Sequence, residues 1–168
     1  ENETGYYGGA MTAVDANVTI NNKSQITDNI GTTGAAFNFR GTGTYTLDDV
    51  TIQNNTATSN GVIYITNTGT LNLNKVTATA NTAVNGGAVY ASGAATVNIT
   101  DSTLNENTAT GSGGALYATV TVTVQGTNIS DNSGATGGAI YMNGGALTLN
   151  NSTLTANNAT GNGGAVYV

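Results

Sequence analysis

Sixteen residues of this chain are written almost twice: STLNENTATGSGGALY, Ser102 to Tyr117, and STLTANNATGNGGAVY, Ser152 to Tyr167. Self-similarity of this kind limits the fold more than any local propensity does. Two anchors carry it through the chain. The first is Gly-Gly-Ala-aliphatic-Tyr, clear at Gly86, Gly113, Gly137 and Gly163 and degenerate at Gly8, Thr33 and Asn60. The steps between these starts are 25, 27, 26, 27, 24 and 26 residues. The second is an apolar residue, any two residues, then Asn: Ile26/Asn29, Ile52/Asn55, Ala78/Asn81, Leu104/Asn107, Ile129/Asn132 and Leu154/Asn157. Asn2 opens that series, six residues before Gly8, and its steps are 27, 26, 26, 26, 25 and 25 residues.

A third segment completes each unit: NVTI from Asn17, TYTL from Thr44, TLNL from Thr70, TVNI from Thr96, TVTV from Thr121 and ALTL from Ala146. Apolar residues alternate there with Thr or Asn, the period of a half-buried strand. Turns rich in Gly, Asn, Ser and Thr separate the segments, and no stretch has helical periodicity. Low charge with much Gly and Asn is also a disorder signature, but the Thr, Val and Ile content suits pleated surfaces. Three short strands cannot bury an apolar face alone; stacked copies can. The expected fold is therefore all-β: a right-handed parallel β-helix with three short strands per rung, about 26 residues per rung and six to seven rungs. Each strand pairs with its copy about 4.8 Å along the axis, for a length of about 30 Å. Residues 1–168 are expected to form a single segment of this solenoid. The chain opens near an Asn anchor and stops at GGAVYV in mid-unit, with no polar cap at either end. It is therefore expected to be a fragment of a longer repeat protein, whose open rungs could stack head to tail.

Equivalent positions in such a coil form columns. The inward ones are expected at Val18/Tyr45/Leu71/Val97/Val122/Leu147, at Ile20/Leu47/Leu73/Ile99/Val124/Leu149, and at the apolar residue of the second anchor. A further inward column is expected at Met11/Ala36/Ile63/Val89/Leu116/Ile140/Val166. Asn29, Asn55, Asn81, Asn107, Asn132 and Asn157 are expected to form a hydrogen-bonded ladder at a turn, since each amide both donates and accepts. Gly9, Gly34, Gly61, Gly87, Gly114, Gly138 and Gly164 mark the next corner, where positive φ or close rungs exclude a Cβ. Lys23, Asp49, Lys75 and Asp101 alternate in sign at one position of four successive units.

Little is left for catalysis. His and Cys are absent, which removes the usual general base, thiolate chemistry and thiolate metal sites. Glu106 and Asp131 share an outward column and are the one pair that could act as acid and base or share a cation; the plainer reading is two solvated carboxylates. No enzymatic activity, cofactor or metal is expected. The net charge is −6 with three cations, Lys23, Arg40 and Lys75, so no basic patch exists for nucleic acid. No run of about 18 apolar residues exists to span a bilayer as a helix, so no direct membrane insertion is expected of this segment. Two outward surfaces could bind. Tyr64, Tyr90, Tyr117, Tyr141 and Tyr167, preceded by Phe37, would point out beside inward aliphatic residues as an aromatic platform for a sugar face or a protein. Alternatively they support only each other. The columns Asn17/Thr44/Thr70/Thr96/Thr121 and Thr19/Thr46/Asn72/Asn98/Thr123/Thr148 form a regular array of the kind ice-binding β-helices use, here interrupted by Asn. Sequons such as Asn98-Ile99-Thr100 and Asn128-Ile129-Ser130 permit glycosylation.

GGALY at Gly113 and LNEN at Leu104 resemble the GGA(I/L/V) and FxxN tetrapeptides of polymorphic outer-membrane proteins and of adhesin-like surface proteins of bacteria and methanogenic archaea. The resemblance covers essentially the whole chain. It departs from the family where Ile26, Ala78 and Leu104 replace Phe, and in having no Cys. It implies a right-handed parallel β-helix that is extracellular, on a microbial cell surface, and adhesive. The function so implied is an adhesin or stalk segment whose partner is a glycan or protein on a host or neighbouring cell. Ice binding through the Thr/Asn face is the alternative, and a remnant of a polysaccharide-processing enzyme comes behind it.

Overall fold

The computed structural model describes residues 7–168. Glu1, Asn2 and Glu3, including the first member of the asparagine series, lie outside the described residues. The described residues form 25 short strands and no helix. The strands fall into four sheets, one of seven strands and three of six, and every pairing is parallel between a strand and its copy one rung away. The chain is a parallel β-solenoid of about six turns.

The first face is made by Met11–Val14, Phe37–Arg40, Ile63–Ile65, Val89–Ala91, Leu116–Ala118, Ile140–Met142 and Val166–Tyr167. The second is made by Val18–Ile20, Thr44–Asp48, Thr70–Asn74, Thr96–Thr100, Thr121–Gln125 and Leu147–Asn150. The third holds the apolar member of the asparagine anchor at the centre of each strand, as in Thr103–Asn105. The fourth consists of two-residue strands such as Thr82–Ala83 and Thr108–Ala109. Three strands per rung follow from the alternation pattern. The fourth is too short to show a period, and only the stack reveals it.

Alternation sends every second side chain inward. Leu71, Leu73, Val97, Ile99, Val122 and Val124 of the second face are fully buried. They meet Ile63, Val89, Leu116 and Ile140 of the first face and Ile52, Ala78, Leu104 and Ile129 of the third in one core. Among the described residues the first and last rungs are covered on one side, and Met11 and Leu149 of the same columns are 37% and 40% exposed there.

One rung departs from the alignment read in the sequence. Ala36 was expected in the inward column and Phe37 at the head of the tyrosine column. Instead Phe37 pairs with Met11 and Ile63, and Asn38 pairs with Tyr64. Gly34, at φ +66°, takes the left-handed corner that Gly113 takes at +70°. The unit TGAAF is thus shifted by one residue, with Ala35 and Ala36 standing where later rungs have Gly-Ala. Phe37 is buried, stacked at 5.3 Å on Phe39, which stacks at 4.3 Å on Tyr45. The Tyr45 hydroxyl donates to the Arg40 carbonyl at 2.6 Å, so this large inward residue keeps its polar end partnered.

The glycine corner likewise resolves into two columns. Gly34 and Gly61 have positive φ and align with Gly86 and Gly113 rather than with Gly87 and Gly114. The second column needs glycine for space: a Cβ on Gly114 would collide with the Gly138 carbonyl of the next rung, whereas one on Gly164 meets nothing within 4 Å. Gly114→Ala is therefore expected to cost about 3 kcal/mol or more. Gly164→Ala should stay within about 0.5 kcal/mol of the unaltered chain. Urea unfolding of the two variants checks this; equal losses would contradict the account of the corner.

Candidate functional site

The outward faces are positioned by polar ladders inside the coil. Asn55, Asn81 and Asn107 are fully buried. The Asn81 Oδ1 accepts from the Asn55 backbone N–H at 3.0 Å and from Asn55 Nδ2 at 3.1 Å. Asn81 Nδ2 donates onward to Asn107 Oδ1 at 3.0 Å and back to the Ile52 carbonyl at 2.9 Å. Each amide thus spans three rungs with both donors and both lone pairs used. The pattern runs from Asn29 to Asn157.

A second internal ladder lies at the corner between the second and third faces. The Val76 N–H donates to Ser102 Oγ at 3.0 Å, Ser102 N–H to Thr127 Oγ1 at 3.3 Å, and Thr127 N–H to Ser152 Oγ at 3.2 Å. The hydroxyls donate back to the carbonyls of Thr100, Gln125 and Asn150. Sequence reasoning missed it because Val50 and Val76 occupy the same column in other rungs. The repeated Ser/Thr two residues before the apolar anchor was the available signal.

The charged positions have a backbone role. Lys23, Asp49, Lys75 and Asp101 all have φ between +49° and +61°, and their column continues through Gly126 and Asn151, which are uncharged. What the column shares is a left-handed corner, which Asp, Asn and Gly tolerate best. Glu106 and Asp131 occupy a second left-handed column with Asp28, Asn54, Ala80 and Ala156. Both carboxylates are exposed. Among the described residues no group of three or more acidic side chains converges as a metal site would require, and no pocket opens.

The first face brings Tyr64, Tyr90, Tyr117, Tyr141 and Tyr167 into one column, each paired in register with the next. Successive ring centroids lie 5.3, 4.8, 5.1 and 5.2 Å apart, with planes within 18° of parallel. The rings stand outside the core, because their strand neighbours point in, and they are half-buried against each other; Tyr167 at the end is 37% exposed. Asn38 stands in the column below Tyr64, but it is buried, and its Oδ1 has no partner. Burial, then the neighbouring phenols Tyr117 and Tyr64, raises the Tyr90 pKa above 10.0.

On the second face Thr44, Thr70, Thr96 and Thr121 line up in register. The adjoining column is interrupted where Asn98 Nδ2 donates to Asn72 Oδ1 at 2.9 Å.

With this geometry in view, one rung can be matched to a known repeat. Residues 101–119 match the family model of the Chlamydia polymorphic membrane protein repeat. That one rung of the β-solenoid is similar to the polymorphic membrane protein repeat. The match spans Leu104–Asn107 and Gly113–Tyr117, the segments that carry the resemblance in the sequence. It therefore joins one asparagine of the ladder, the glycine corner and one tyrosine of the column. No curated protein and no solved structure matches the chain.

The raised pKa of Tyr90 predicts a pH effect. An unfolded phenol releases its proton near 10.0, before the folded Tyr90 does. The stability of the coil is thus fully present below that pH and is lost as pH rises from there through the folded pKa of Tyr90. Ultraviolet titration should show a late-ionising phenol that Tyr90→Phe removes; an unchanged titration in that variant would contradict the assignment.

Proposed function

We propose that this chain is a surface-displayed segment of an extracellular adhesin-like microbial protein, acting as stalk and contact surface without catalysis. The observation that carries the reading is the tyrosine column: five aromatic side chains in register on one outward face of a rigid coil. Aromatic residues are the side chains most enriched where proteins bind one another or sugars. The polymorphic membrane protein repeat supports the cell-surface setting. The shortage of cations supports a partner that is a glycan or protein rather than nucleic acid.

The in-register threonines support a second reading, ice binding, though the Asn72–Asn98 pair breaks the hydroxyl array. The test is binding of the purified chain to a panel of glycans and host-cell surface proteins. A variant with Tyr64, Tyr90, Tyr117 and Tyr141 changed to Ala runs beside it, its fold checked by circular dichroism. The adhesive reading expects binding that falls about tenfold or more in the folded variant. Equal binding by both forms, or none by either, overturns it, and thermal hysteresis by the same sample would decide for ice.

A further inference from the structure

We infer that the tyrosine column works edge-on, presenting one phenol hydroxyl per rung to a neutral linear polysaccharide lying along the solenoid axis. This rests on the column being the contact surface and names what that surface recognises.

The ring faces are not free. Carbon atoms in contact sit about 3.5–4.0 Å apart, and neighbouring centroids here are 4.8 to 5.3 Å apart with nearly parallel planes. Two phenol rings at that separation cannot lie side by side in one plane. They overlap as offset stacks, so Tyr90, Tyr117 and Tyr141 each have a neighbour over both faces. A sugar cannot stack flat on them as it would on an isolated aromatic platform. What reaches solvent is a line of ring edges and hydroxyls. Asn38 Oδ1 is the one buried side-chain polar atom without a partner among the described residues. The phenol oxygens are therefore open to water or partnered, as Tyr117's is by Asn143 Nδ2 at 3.5 Å.

The chemistry and the spacing narrow the ligand. A phenol both donates and accepts, which matches a sugar hydroxyl. Next to the column on the same face runs a polar column that includes Thr66 and Ser92, whose hydroxyls meet at 3.4 Å. A glycan lying along the axis would touch both. Its extended pyranose units repeat on nearly the length of a rung. A polypeptide advances about 3.3 Å per residue and falls out of step. A polyanion meets a chain of net charge −6, and the one cation of this face, Arg40, stands over the Tyr7 ring at 5.1 Å.

The test uses oligosaccharides of cellulose, xylan and chitin of increasing length as probes. Two variants carry Tyr64, Tyr90, Tyr117 and Tyr141 changed together to Phe or to Ala. The Phe variant keeps the stack and removes only the hydroxyls. The inference expects affinity that rises with oligosaccharide length and falls about tenfold or more in the Phe variant, as in the Ala variant. Full binding by the Phe variant with loss in the Ala variant overturns the hydroxyl row but leaves an apolar contact surface. Binding to a protein partner and to none of these glycans overturns the ligand class alone. No binding to any glycan or protein overturns both this inference and the adhesive reading.

Discussion

The coil depends on one interaction, the buried amide ladder from Asn29 to Asn157. Apolar columns supply most of the driving force, but they are non-directional, and Leu, Ile and Val would pack almost as well at a neighbouring register. A slip of one residue would turn every strand inside out. The ladder opposes slippage because Asn55, Asn81, Asn107 and Asn132 each donate to the next asparagine of the ladder and to a carbonyl of the preceding rung. A displaced rung leaves buried amide groups unpaired, at about 1–3 kcal/mol each. The Ser102–Thr127–Ser152 hydroxyls add a second register lock at another corner. Between these locks the chain tolerates rungs of different length, because the irregularity is absorbed at glycine corners.

The fold was legible because its signals are periodic. The alternation in TLNL and TVTV, the spacing of the Asn anchors and the recurrence of GGA-aliphatic-Tyr all report the same unit. Periodic signals fail where a rung substitutes several positions at once. TGAAF offered two plausible alignments, and identity of residue type favoured the wrong one. The backbone decided, because a left-handed corner needs Gly34 there and this carries Phe37 inward. The charged column had a similar ambiguity. Alternating Lys and Asp look like an electrostatic design, yet the shared property is positive φ, visible only once Gly126 and Asn151 join the column.

For the candidate site, sequence could place the five tyrosines at one position of successive rungs. It could not place their rings. Ring orientation follows from the fixed rung spacing: side chains wider than that spacing must tilt and overlap. The same constraint that makes the column rigid removes the flat aromatic surface that a row of tyrosines suggests on paper, and leaves a row of hydroxyl-bearing edges. Asn38 marks where the row stops, since in the shifted rung the tyrosine position is buried and filled by an amide.

Hydrogen exchange followed by NMR tests the account's central claim most directly. The side-chain amide protons of Asn55, Asn81 and Asn107 should exchange as slowly as the backbone amides of the core strands, since both open only when rungs separate. Exposed amides such as that of Asn54 should exchange fast in the same sample. If the ladder asparagines exchanged as rapidly as Asn54, the ladder would not be holding the rungs in register, and the account of the fold built on it would be wrong.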